Sequence, residues 1–153
     1  MRLTALGVLV ALGALACGGE KKPDQTQSQT PAAQPAATQP AGPVVEVKMT
    51  GNGSTQAAYV PNTLTIAPGT TVRFINVSGG PHNVAFYGDS IPSGAAAALN
   101  AGMANRMDNL SGPFLTTANE NYDVSFAGAP TGTYKSYCLP HVALGMKLTI
   151  TVK

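Results

Sequence analysis

An all-β domain, short strands folded into a sandwich or barrel, is what the sequence predicts from Val44 to Lys153. Three observations lead there. Polar and apolar residues alternate with a period of two in several separate segments. Turn-forming clusters fall between those segments: Gly51-Asn52-Gly53, Pro61-Asn62, Pro68-Gly69, Gly79-Gly80-Pro81 and Pro130-Thr131-Gly132. Only one stretch within the domain, Ser93 to Met107, has the apolar spacing of a helix.

Taken in order, residues 1–16 read as a signal peptide. Met1-Arg2 precedes an apolar run, Leu3 to Ala16, that falls short of the roughly 20 residues a spanning helix needs but suits an export signal. The junction Leu15-Ala16-Cys17-Gly18 resembles a bacterial lipoprotein cleavage site, which implies cleavage before Cys17 and lipidation of that cysteine. An ordinary signal peptide cut nearby is the alternative. Either one places the domain outside the cytoplasm, on the cell envelope if the lipid anchor is made. Residues 17–43 are rich in Pro, Ala, Gln and Thr and have nothing able to anchor a core, so they read as a disordered linker. Pro31, Pro35, Pro40 and Pro43 stiffen it toward polyproline II, which extends by about 3.1 Å per residue.

Within residues 44–153, strands are predicted at Val45–Met49, Leu64–Ile66, Thr71–Val77, Tyr122–Phe126 and Lys147–Lys153. The last is the cleanest, with Leu148, Ile150 and Val152 on one face and polar residues on the other. Between strands, alanines dominate Ser93–Met107, and Leu99, Met103 and Met107 recur every four residues. A short helix or irregular excursion capped by Ser93 is expected, interrupted by Gly94 and Gly102.

Composition narrows the chemistry. The net charge is +2, from nine basic and seven acidic residues, and no basic field exists to hold a nucleic acid. Two histidines and two cysteines exclude multi-metal enzymes and zinc-finger arrays. The carboxylates are scattered and no catalytic constellation stands out, so an enzyme is not expected. If Cys17 is acylated, Cys138 has no disulfide partner in the mature chain, and an unpaired thiol in an exported protein asks for a reason.

Metal ligation supplies one. Cys138, His141 and Met146 share one short loop, and His82 lies at the end of a turn leading into a strand. Two imidazoles, a thiolate and a weaker thioether are the donor set of a trigonal copper site with an axial methionine, whereas zinc would want another strong donor. Imidazole suits Cu(II), and thiolate and thioether suit Cu(I), so a compromise site changes oxidation state with little rearrangement. Met49, Met103 and Met107 are assigned to packing or surface rather than to the metal.

The spacing Cys138-x2-His141-x4-Met146 with upstream Pro81-His82-Asn83-Val84 resembles the plastocyanin-like cupredoxin family of blue copper proteins. The likeness extends through Leu64–Gly69, Ile91–Gly94 and Gly132-Thr133-Tyr134 leading to Tyr137-Cys138. It implies an eight-stranded Greek-key β-sandwich and one type 1 copper held by His82, Cys138, His141 and Met146, with His141 near the surface as the electron port. It also implies that Asn83 ties the two ligand loops together and sends its backbone amide toward the thiolate. Leu139, Pro140, Val142, Ala143 and Leu144 correspond to the family's apolar docking face, and Gly145 keeps the turn before the axial ligand open. Tyr137 is either part of a second electron route or an ordinary sandwich tyrosine. Plant members carry an acidic patch near the stretch equivalent to Ala95–Leu110, which here has only Asp108 against Arg106, so charge steering of partners is expected to be weak.

The expected function is therefore single-electron transport by Cu(II)/Cu(I) cycling between envelope redox complexes. Transient partners would be cytochromes or membrane oxidoreductases, and the carrier is expected to be monomeric. Copper delivery or buffering in the envelope, with the same ligands, is the alternative.

Overall fold

The computed structural model describes residues 42–153; the segments expected to be a signal peptide and, almost entirely, the linker, Cys17 included, lie outside the described residues. Eight strands form two four-stranded sheets. The strands are β1 (Val44–Gly51), β2 (Ala57–Val60), β3 (Thr63–Ile66), β4 (Thr71–Asn76), β5 (Ala85–Phe86), β6 (Asn121–Ser125), β7 (Gly132–Tyr137) and β8 (Lys147–Val152), with helix α1 at Ala95–Gly102. The first sheet has the order β2-β1-β4-β6 and the second β3-β8-β7-β5. β1 runs parallel to β4 and β3 parallel to β8, while the other pairs are antiparallel. The chain thus crosses repeatedly from one sheet to the other, and the fold is the expected eight-stranded cupredoxin sandwich.

Alternation places the core between the sheets. Val47 and Met49 of β1, Val72 and Phe74 of β4, and Tyr122 and Val124 of β6 face Tyr134 of β7 and Leu148, Ile150 and Val152 of β8. Phe126, just past β6, joins the layers edge to face against Phe86 and Tyr134, while Tyr59 packs edge to face on Phe74 within the first sheet, with centroids 5.3–6.2 Å apart. At the first hairpin, Asn52 Oδ1 accepts the amides of Ser54, Thr55 and Gln56 at 2.9–3.1 Å, so one side chain organises the β1–β2 turn.

Three strands are not announced by alternation. β2 is two alanines followed by Tyr59-Val60, and β5 is too short to show a period. In β7 the inward set is Tyr134 and Ser136, and the serine disguises the pattern; its hydroxyl is satisfied by Leu148 O at 3.2 Å. At the other ends the expected segments overrun slightly, since β4 stops at Asn76 and β6 at Ser125.

The helix corrects two expectations. Ser93 is not its cap: Gly94 occupies that position in a left-handed conformation, with φ 79° and no side-chain capping bond, because the chain first turns through Ala95 N donating to Pro92 O at 3.0 Å. The four-residue apolar spacing also outruns the helix. Leu99 is buried on it and Met103 is buried just past its end, but Met107 lies beyond and is 46% exposed. Gly102 ends the helix hard against β6, where a Cβ would collide with Ser125 O. Met49 and Met103 are core residues, as expected.

Candidate metal centre

The pairing of β5 with β7 brings distant residues together. Ala85 is opposite Tyr137, so the segment entering β5 and the segment leaving β7 emerge side by side at one end of the second sheet. His82 lies three residues before Ala85, and Cys138 follows Tyr137 directly. The His82 backbone is fixed independently by exchanging both bonds with Leu115, at 3.0 and 2.7 Å.

The loop from Cys138 to Met146 closes on itself. Cys138 N donates to Met146 O at 3.1 Å, His141 N to Cys138 O at 3.1 Å, and Met146 N to His141 O at 3.2 Å. A single 3-10 turn, Val142–Leu144, fills the middle, and Gly145 reverses the chain with φ 81°, a conformation that a side chain would strain. Gly145 thus holds the turn before Met146, as expected.

Three donors meet. Cys138 Sγ is 3.8 Å from His82 Nδ1 and 3.4 Å from His141 Nδ1, and the three donor atoms all lie within 4.8 Å of one another. His82 Nε2 is 2.9 Å from Ser78 O. A carbonyl only accepts, so Nε2 carries the proton and the Nδ1 lone pair is left free toward the sulfur. His82, Cys138 and Met146 are wholly buried, and His141, at 6% exposure, is the one that keeps contact with solvent.

Asn83 binds the two loops to each other. Its Oδ1 accepts Leu139 N at 2.8 Å, its backbone amide points at Cys138 Sγ at 3.5 Å, and its Nδ2 donates to Gly112 O and Ser111 Oγ at 3.3 and 3.4 Å. Sequence reasoning placed His82 and Asn83 here but missed what supports them. Ser78, Leu115, Gly112 and Tyr59, whose hydroxyl donates to Asn83 O at 2.6 Å, act through backbone contacts or lie outside any alternating segment, so no motif points to them.

Electrostatics suit a metal. Burial pushes the Cys138 thiol up, and the amides of Asn83 and His141 offset part of that rise. His141 is pushed down, by burial first and by His82 second, toward the neutral form that ligates. The metal-free site therefore holds a thiol proton at neutral pH, and metal uptake must displace it. Copper affinity should accordingly rise by about tenfold per pH unit below the thiol's pKa. Competition titrations at two pH values between neutrality and the thiol's raised pKa check this, and equal affinities would show that the site already holds a thiolate.

The donor chemistry fits copper: two imidazoles and one thiol converge, with a buried thioether on the same loop and no carboxylate among the gathered donors. Around His141, Leu139, Pro140, Val142, Ala143 and Leu144 are all exposed, forming an apolar rim at this end of the sandwich.

A β-sandwich whose end loops gather histidine, cysteine and histidine beneath an apolar rim defines a mononuclear copper protein of the cupredoxin class. The model of copper-binding proteins of the plastocyanin/azurin family matches residues 45–153, and the chain belongs to that family. It is 40% identical over 109 residues to plastocyanin of Scenedesmus fuscus, which covers 71% of this chain and 99% of that one. Plastocyanin of Capsella bursa-pastoris is also 40% identical, over 102 residues, or 67% of this chain and 94% of that one. Among solved structures, oxidised plastocyanin from Dryopteris crassirhizoma superposes with a TM-score of 0.55 at 28% identity, covering 71% of this chain and all of that one. Copper is the cofactor, and a copper electron carrier is the class of protein that this membership defines.

Proposed function

We propose that this chain is an exported carrier of single electrons between redox complexes at a cell envelope, in which His82, Cys138 and His141 would hold copper as strong donors and Met146 would add a weaker thioether. The observation that supports this reading best is that the three strong donors are gathered by hydrogen bonds that do not involve the metal. Copper, when bound, supplies the Cu(II)/Cu(I) couple. The chain's part is to keep the donors from moving. Ser78 O orients the His82 ring, Asn83 ties Leu139 to the first loop, and Gly145 lets the second loop close. Burial excludes water from three of the four donors. His141, at the centre of the exposed rim, is the port through which electrons pass. Leu139, Pro140, Val142, Ala143 and Leu144 form an apolar surface for brief docking to cytochromes or membrane oxidoreductases, weak enough that the carrier leaves quickly. The lipoprotein-like junction at Cys17 and the Pro-rich composition of residues 17–43 support a tethered carrier whose domain sweeps the space beside the membrane.

The test is to load the full chain with Cu(II), record its visible and EPR spectra, then reduce and reoxidise it in the presence of a Cu(I) chelator. An intense thiolate-to-copper band with copper retained through the cycle is the expected result. Rapid loss of Cu(I) to the chelator would replace electron transport by copper delivery. A second prediction concerns the thioether. Met146→Leu should retain copper and raise the reduction potential, because Cu(II), the stronger Lewis acid, loses more from a missing fourth donor than Cu(I), which is content with three. An unchanged potential by voltammetry would remove Met146 from the set of donors.

A further inference from the structure

Tyr59 belongs to β2, an edge strand of the first sheet that pairs only with β1, yet its hydroxyl ends at the metal loops of the other sheet. The ring is buried, packed edge to face on Phe74 with centroids 5.8 Å apart, and the hydroxyl donates to the backbone carbonyl of Asn83 at 2.6 Å. Asn83 is held at four points. Its amide faces Cys138 Sγ, its Oδ1 takes Leu139 N, its Nδ2 reaches Gly112 O and Ser111 Oγ, and its carbonyl takes Tyr59. Among the described residues, Tyr59 is the one partner that comes from the first sheet; the others belong to the segments around β5, β7 and the stretch before β6.

We infer that Tyr59 is a positioning residue for the copper centre: its hydroxyl fixes the Asn83 backbone against the first sheet, sets the approach of the Asn83 amide to the Cys138 sulfur, and thereby raises the reduction potential.

The physical chain is short. A buried carbonyl that loses its donor is left unsatisfied, and a backbone segment relieves that by tilting toward another partner. The Asn83 amide, one peptide plane away, lies 3.5 Å from the sulfur, an ordinary length for so large an acceptor, and a tilt that misaligns N–H and sulfur weakens the interaction. Sulfur carries more negative charge when copper is reduced, and an amide directed at it favours that state. Loss of the amide therefore lowers the potential. Burial keeps the Tyr59 hydroxyl protonated far above the ordinary phenol range, so it remains a donor wherever the protein is folded.

The inference rests on the electron-carrier reading, and the experiment separates the two. Tyr59→Phe keeps the ring and deletes one hydrogen bond. Tyr134→Phe is the control: it too deletes a hydroxyl donated from a buried ring to a carbonyl, that of Pro130, but touches neither metal loop. Tyr59→Phe should lower the reduction potential, change the energy of the thiolate-to-copper band, and move the Asn83 amide proton upfield in NMR spectra of the metal-free and Cu(I) chains. Tyr134→Phe should leave all three where they are while losing comparable stability. An unchanged potential in Tyr59→Phe, or equal shifts in both variants, overturns the inference. If wild-type protein sheds Cu(I), the carrier reading fails. The Asn83 amide shift and the Cu(II) band energy then decide the positioning role: shifts confined to Tyr59→Phe uphold it, and their absence overturns it.

Discussion

Cys138→Ser abolishes the intense visible absorption and lowers copper affinity by at least about a hundredfold, a loss that removing even an outer hydrogen-bond partner of a ligand can reach. The thiol sits at the meeting point of both imidazoles, 3.8 Å from one Nδ1 and 3.4 Å from the other. Serine has nearly the same shape, so the buried position is still filled and the loop keeps its Cys138 N to Met146 O bond. What disappears is a soft, ionisable donor, replaced by a hydroxyl that stays protonated and hard. Absorption and EPR spectra of the Cu(II)-loaded variant check the outcome. A variant that stays blue would take Cys138 out of the metal site.

Asn83→Ala is expected to be the most damaging change outside the ligands. The side chain is buried and bridges Leu139 N to Gly112 O, so truncation strands a donor and an acceptor at once. A buried orphan costs about 1–3 kcal/mol and the part-buried Leu139 amide less, which places the loss of stability at roughly 1–4 kcal/mol. Urea unfolding of the metal-free chain measures it directly. The copper-loaded variant should also show broadened EPR hyperfine lines, because Cys138 and His82 then belong to loops no longer joined by that side chain. Unaltered stability would mean that the Leu115 pairing of His82 and the closed bonds of the second loop hold the site without Asn83.

What the sequence revealed and what it hid have physical causes. β8 could be read outright because every second residue, Leu148, Ile150 and Val152, faces the core. β7 beside it also buries alternate residues but uses Ser136 as one of them, which only a partner carbonyl makes tolerable, and that partner cannot be read from a linear pattern. β5 is two residues long and owes its existence to β7. The helix was visible in its alanines but not in its limits, because a left-handed glycine starts it where a serine cap was expected. For the site, Cys138, His141 and Met146 are close in sequence, and His82 was the only other histidine, so the donors were legible before any fold was known. Their supports were not. Ser78, Leu115 and Gly112 contribute backbone atoms, which every residue has, and Tyr59 contributes a hydroxyl from the far sheet.

The position of β8 has a consequence for how the protein acquires its metal. This strand lies inside the second sheet, between β3, which it pairs in parallel, and β7, and it follows immediately on the loop that contains three of the four ligands. Until it arrives, β3 has no neighbour in that sheet and the Cys138 loop has no second leg to close against. Parallel pairing between segments so far apart in the chain is a late, slow step in folding. A nascent chain therefore offers copper only a loose Cys138–Met146 segment with His82 far away, and the ordered site appears together with the finished sandwich. Metal uptake reports completed folding, and a partly folded chain is left without the centre that would let it exchange electrons.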